Sequence, residues 1–235
     1  MNGYDLLINQ NQSQGFNGVT IAIVTNNTDP DNLGRIKVKF PWLSQEEESF
    51  WARILTPMAG KDRGIYFLPE VDDEVLVAFE QGNMNVPYIL GALWNGIDKP
   101  PAKNDDGKNN QRMIKSRSGH QIILDDTEGE EKIIIEDKTG KNQILIDSKE
   151  NNMNIKVEKD LTIETKGKII LKSSDDDVSI ECNNLSIKVN QDYKLEAGAN
   201  CTIKAKSKYE LEAKSGLGIN CSAGVKINKS SLEVM

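Results

Sequence analysis

Apolar and polar positions follow one strict rule in the last part of this chain. From residue 193 to residue 235 the pattern repeats every eight residues. Tyr193, Cys201, Tyr209, Leu217 and Val225 share the first position of the unit, and Leu195, Ile203, Leu211, Ile219 and Ile227 share the third. Ala197, Ala205, Ala213 and Cys221 hold the fifth, and the last three positions are mostly Gly, Ala, Ser, Asn or Lys. Alternation at positions one, three and five predicts a short strand, and the small or polar triplet predicts a corner. The frame runs back through Leu185 and Ile187, slips by one residue at Val178 and Ile180, and resumes at Leu161 and Ile163 and at Met153 and Ile155. One such unit cannot bury its own apolar face, so the sustained period predicts a stack of β layers.

The length of the unit selects the kind of stack. A parallel β-helix wound by one chain needs about three strands per coil, whereas eight residues supply one strand and one corner. Three chains around a common axis complete each layer. The expectation is an intertwined trimeric β-helix over residues 113–235, a homotrimer whose core is Leu185, Ile187, Tyr193, Leu195, Cys201, Ile203, Tyr209, Leu211, Leu217, Ile219, Val225 and Ile227. The small fifth position suits a narrow interior. Met113, Ile114 and the apolar triplets at 122–124, 133–135 and 144–146 feed this part from upstream.

Residues before the linker obey a different rule. Val19 opens a strand over 19–24, and NNTDPDNLG at 26–34 is a turn built on Asp-Pro and Asn-Leu-Gly. Ile36, Val38 and Phe40 then alternate with Lys37 and Lys39, which completes a hairpin. Further strands are expected at 49–56, 64–68, 74–80 and 88–93, and five or six short strands close most simply as a small Greek-key barrel. The segment LSQEEES at 43–49 reads as a solvated loop or one helical turn.

Composition divides the chain at the same place. All seven prolines, every Trp and every Phe precede residue 102, so no proline interrupts a ladder beyond it. The expected organisation is a leader at 1–16, an all-β barrel at 17–100, a linker at 101–112 and the β-helical part at 113–235.

Charge and chemistry narrow the function classes. A net charge of −7 opposes nucleic-acid binding, and the basic residues of the barrel lack the aromatic interleaving a single strand would need. Trp42, Trp51 and Trp94 sit in apolar strand ends and read as core or subunit contacts. No apolar run approaches the ~20 residues that span a bilayer, and residues 1–5 do not resemble a signal peptide, so assembly in the cytoplasm is expected. Cys182, Cys201 and Cys221 contain no CxxC pair and fall on inward positions, which suits small apolar packing. No catalytic or metal site is expected. The single histidine, His120, has no cysteine near it and reads as an exposed corner. DPDNLG starts like a calcium loop, yet Leu33 and Phe40 occupy positions that require oxygen ligands. Asp175, Asp176 and Asp177 lie at the register slip and read as a solvated bulge.

Four blocks in order carry a family resemblance: GRIKVKFPW at 34–42, FWARILTPMAG at 50–60, RGIYFLPEVDDEVLVAFEQGN at 63–83 and PYILGALWNG at 87–96. They resemble the OB-fold domain of phage baseplate assembly protein V and of VgrG-like central spike proteins in contractile injection systems. The octads are similar to that family's trimeric β-helical needle, although their aliphatic third position departs from its usual valine-x-glycine unit. The resemblance implies a non-enzymatic spike without cofactor that stands on a separate hub or baseplate protein and touches membrane only while piercing it. Only about 16 residues precede the OB-like block, and the linker has no room for an inserted lysozyme domain. With no His after residue 120, no tip metal is expected. Leu232, Glu233, Val234 and Met235 would instead form a blunt end for a PAAR-repeat tip protein, and effector cargo is a further partner that the resemblance implies. Such a particle is exported on contraction. The alternative is a trimeric β-helical adhesin or tail-fibre shaft that binds a receptor.

Overall fold

The computed structural model describes residues 16–43 and 47–225. These residues are all-β, with one short 3-10 turn at Glu80–Gly82 and no α-helix. The chain divides into two units, Met1–Glu164 and Thr165–Met235.

The first unit begins with the predicted hairpin. Strand β1 (Val19–Asn26) pairs antiparallel with β2 (Lys37–Lys39) and with β6 (Glu74–Phe79), and β6 pairs antiparallel with β7 (Pro87–Ala92). Strand β3 (Arg53–Ile54) lies parallel to β7, which gives the order β2-β1-β6-β7-β3. A bridge between Ile36 and Ala52 joins the two ends of this sheet through hydrogen bonds of 3.0 and 2.8 Å, so the barrel has no open side there. A small hairpin, β4 (Ala59–Gly60) with β5 (Arg63–Gly64), projects from it.

Alternation sets the core. Ala22 and Val24 of β1, Val75, Val77 and Phe79 of β6, and Ile89 of β7 point inward with Ile36, Val38, Phe40 and Ala52, and all are buried. Lys37 and Lys39 face outward, as their alternation with the apolar residues requires. Phe16 enters the barrel beside Phe79 and stacks on Trp42 at 5.4 Å. Two expected strands are shorter than predicted. Ladder pairing covers only Arg53–Ile54 within 49–56 and Arg63–Gly64 at the start of 64–68. Toward β2, the segment preceding β3 is joined by single bridges, Ala52 with Ile36 and Glu48 with Lys39.

The turn at 26–34 is held by one carboxylate. Asp29 accepts hydrogen bonds from the backbone N–H groups of Asp31, Leu33 and Arg35 at 3.1, 3.0 and 3.2 Å, and from the Arg35 guanidinium at 2.8 and 2.7 Å. Asn32 and Gly34 take the left-handed backbone angles the reversal needs, φ 55° and 69°. The Arg35 guanidinium, followed by the backbone N–H donors, holds the Asp29 carboxyl far below the usual range. Its oxygens are committed to these donors, which agrees with a turn and leaves no calcium loop.

Five strands follow the linker: β8 (Gln111–Lys115), β9 (Gln121–Asp125), β10 (Lys132–Glu136), β11 (Gln143–Asp147) and β12 (Asn152–Lys156). They pair in chain order as an antiparallel meander. Here the chain completes its own ladder, because tight turns at 116–120, 126–131 and 137–142 let each strand return beside its predecessor. Asp137 organises one of these turns, and hydrogen bonds from the Thr139 hydroxyl and the Asn142 amide lower its pKa to about 2.

Residues 165–225 behave differently. No residue among them joins a ladder, and every one is exposed.

Candidate assembly surface

Register in the meander places its apolar residues in rows. Ile114, Ile122, Ile135, Ile144 and Ile155 lie directly opposite one another across all five strands. The next row on the same face is Arg112, Leu124, Ile133, Ile146 and Met153. One face therefore carries nine apolar side chains out of ten. The other face has a single apolar row, Met113, Ile123, Ile134 and Leu145, flanked by polar ones. Glu136 there accepts hydrogen bonds from Gln121 at 3.0 Å and Gln143 at 2.8 Å, a cross-strand pattern suited to water. The apolar face is the exposed one: Ile135 at its centre is 45% accessible and Met153 59%. A sheet with one apolar face is stable only when that face is covered.

The isoleucine row also floors an open groove of about 1240 Å³ whose other wall is Ile54, Leu55, Phe67, Leu68 and Ile89 of the barrel. Glu70 of the barrel forms an ion pair with Arg117 in the β8–β9 turn.

Apolar octad residues stand out in the same way. Leu185, Ile187, Tyr193, Leu195, Ile203, Tyr209, Leu211, Leu217, Ile219 and Val225 are 57% to 68% accessible. Cys182, Cys201 and Cys221 are exposed with them. These positions thus form an uncovered set, with no ladder partner among the described residues. Ile227 and the tip residues Leu232, Glu233, Val234 and Met235 lie outside the described residues.

The remaining candidates fall apart as chemistry. His120 is exposed at the end of its turn, where its Nδ1 accepts the Lys138 N–H at 3.2 Å. Asp175, Asp176 and Asp177 are exposed, and Asp176 is engaged by the Asp177 N–H at 2.9 Å. No group of three His, Cys, Asp or Glu side chains able to hold a metal occurs among the described residues. None of the tryptophans lies in the barrel core. Trp42 donates to the Thr20 hydroxyl at 2.8 Å, Trp51 lies beneath Arg35 and Lys37 at 5.8 and 5.5 Å, and Trp94 is 70% exposed. The cations near Trp51 are neutralised, Arg35 by Asp29 and Asp31 and Lys37 by Glu48 at 3.0 Å. Two features escaped the sequence reading. One is the Asp29–Arg35 clip, whose six-residue spacing spans a turn and matches no periodic template. The other is a surface network in which Arg53 donates to the Tyr88 hydroxyl, which in turn donates to Glu80 at 3.0 Å.

Comparison with known proteins adds an independent observation. Residues 20–94 match the type VI secretion system/phage-baseplate injector OB domain. The chain is 37% identical over 82 residues to the type VI secretion system spike protein VgrG3 of Vibrio cholerae, an alignment covering 33% of this chain and 8% of that protein. To the spike proteins VgrG1b and VgrG1c of Pseudomonas aeruginosa it is 31% identical over 144 residues and 34% over 142. Those alignments cover 56% and 55% of this chain and 18% of each relative. The matched region thus spans less than a fifth of these relatives. The resemblance carried by the blocks from 34 to 96 holds: this chain is VgrG-like over its OB barrel and, in the longer alignments, over further residues.

Proposed function

We propose that this chain is the structural, non-catalytic central spike of a contractile injection machine and that it acts as a homotrimer. The observation that carries the reading is the coupling of an injector OB domain with a long apolar set that one chain leaves exposed, first on the meander and then at octad spacing. Three copies cover it economically. A five-residue strand is about 17 Å long, which matches the side of a triangular prism whose walls stand about 5 Å from a three-fold axis, half the usual spacing of packed sheets. The three meanders form the upper walls of such a prism, and the octads continue it as an intertwined β-helix.

Mechanism in this reading is mechanical. OB barrels form a collar on a separate hub or baseplate protein, and sheath contraction drives the needle through the target envelope. Stiffness comes from continuous ladders with few free edges, and resistance to unfolding comes from three chains that must separate together. Assembly takes place in the cytoplasm before export. Residues 232–235 dock a PAAR-repeat tip protein, through which cargo is carried.

Light scattering on the purified full chain tests the central claim: a trimer at every accessible concentration is expected, and a well-folded monomer overturns it. Deleting residues 228–235 should leave the trimer intact while abolishing co-purification with a PAAR-repeat partner. Unchanged capture would remove the tip assignment alone.

A further inference from the structure

Periodicity creates a problem that the octads cannot solve for themselves. If one chain slides by eight residues against its neighbours, Leu195 takes the place of Ile203, Ile203 that of Leu211, and Ala197 that of Ala205. From Leu185 to Val225 apolar meets apolar at every third position and, as far as Cys221, at every fifth, so this stretch keeps nearly all its burial when shifted. The pattern breaks upstream at the slip, where a slide of eight brings Ser186 and Lys188 to Val178 and Ile180. The first position objects more, because Tyr193, Cys201, Tyr209, Leu217 and Val225 differ in size. A slide of sixteen restores the match of Tyr193 with Tyr209 but sets Cys201 against Leu217 and Tyr209 against Val225, still apolar against apolar. Register is weakly specified wherever a shift preserves the pattern.

The meander has the opposite property. Its strands begin at residues 111, 121, 132, 143 and 152, with no common period. A slide of eight puts Glu130 in the place of Ile122, Lys132 in that of Leu124, Lys141 in that of Ile133 and Gln143 in that of Ile135. Each exchange sets a charge or an amide against an apolar face, a penalty far beyond the Tyr–Cys mismatch of the octads. The meander also pairs within one chain, through neighbouring strands joined by short turns. Its ladders can therefore close before those between chains, since local contacts close first, and contact between copies then covers and stabilises its apolar face.

We propose that residues 111–156 are the registration element of the assembly: the meander folds in each chain, three copies meet through the isoleucine face, and this contact aligns the chains so that degenerate octads zip from a unique start. The inference rests on the trimeric reading above. It assigns to the meander a role distinct from adding length to the spike, namely excluding slipped trimers, an alternative that the repeat alone leaves open.

Two readouts on intact chains test it. In a background with Cys182, Cys201 and Cys221 changed to Ser, Val225→Cys should join to itself between copies with a short bifunctional thiol reagent, showing one register at the far end of the octads. Full-length chain should then be co-expressed with a version carrying a second copy of residues 209–216 and examined by native mass spectrometry. If register is set upstream, the two lengths mix in roughly the binomial 1:3:3:1 of a trimer, and in the mixed species the Val225→Cys link forms between chains of equal length but not between chains of unequal length. Sorting into separate homotrimers would place the registering element downstream and overturn the proposal. A third chain, lengthened by Gly-Ser residues in the linker at 101–110, separates the meander from the barrel: it should mix with the original chain and keep the link at residue 225. Loss of that link in the mixed species assigns registration to the OB barrels instead. If the unaltered chain is monomeric, the trimeric reading itself fails, an outcome distinct from all of these.

Discussion

The OB barrel and residues 165–225 use similar apolar side chains to opposite ends. In the barrel, ten apolar residues from β1, β2, β6, β7 and the Ile36–Ala52 bridge converge on one interior and are buried by their own chain. In residues 165–225, leucine, isoleucine and tyrosine recur at fixed spacing, yet all remain exposed. The meander is intermediate, with its ladders complete and one face uncovered. In the proposed trimer, what separates the three is the number of chains needed to close a layer. A barrel closes on itself, a sheet satisfies its backbone but not its face, and an isolated strand satisfies neither.

The sharpest way to break this contrast is to place a charge in the octad face. In the proposed trimer, Leu211→Asp would put three carboxylates where burial of each leucine would contribute roughly 1.5 to 3 kcal/mol, and the assembly should lose its resistance to denaturant. The barrel should still melt as before, which near-UV circular dichroism of its tryptophans can follow. A barrel-core change is the converse. Ile89→Ala, at a fully buried site, should lower barrel stability by about 2–5 kcal/mol while leaving the oligomeric state of the full chain unchanged.

Acid should separate the regions more gently. Asp29 and Asp137 both have folded pKa values depressed by their hydrogen-bond donors, to about 2 for Asp137. A depressed carboxylate contributes stability that is fully present above its unfolded pKa of about 3.9 and lost as pH falls toward the folded value. Melting of the barrel should therefore drop as pH falls below about 4, and Asp29→Asn should flatten that slope while lowering stability at neutral pH. An unchanged slope in the variant would show that other carboxylates dominate. The smallest effect belongs to Glu210→Lys. Glu210 pairs with Lys208 at 3.0 Å on a fully solvated surface, so its reversal should shift stability by well under 1 kcal/mol. Equal effects from Glu210→Lys and Leu211→Asp would overturn the assignment of inward and outward positions.

Parts of this architecture were legible in the residues. Alternation at Ile36, Val38 and Phe40 announced a strand with one buried face, whereas the eight-residue recurrence from Tyr193 to Val225 marks apolar positions that stand exposed and outside any ladder. The triplets at 122–124, 133–135 and 144–146 were visible only as apolar clusters. Three consecutive apolar residues have no unique inward face, and pairing decides that Ile122 and Leu124 share one side while Ile123 takes the other. The segment 49–56 misled for a related reason: extended, apolar residues promise a strand, but only Arg53–Ile54 meets a ladder neighbour. Asp29 and Arg35 are an ordinary pair in sequence, and their five-fold hydrogen bonding depends on the turn that brings them together.

The amino-acid sequence by itself determined the all-β character, the passage from an aromatic, proline-containing barrel to a proline-free repeat, and the positions that need covering. These follow from local periodicity, which a strand's two-residue alternation writes directly into the order of side chains. Tertiary structure alone decided which strands pair, that the barrel closes through Ile36 and Ala52, and that residues 111–156 complete a ladder within one chain while 165–225 do not. Hydrogen-bond partners are chosen by how far each turn lets the chain return, and that reach is a property of the folded path, absent from the hydrophobic pattern that both regions share.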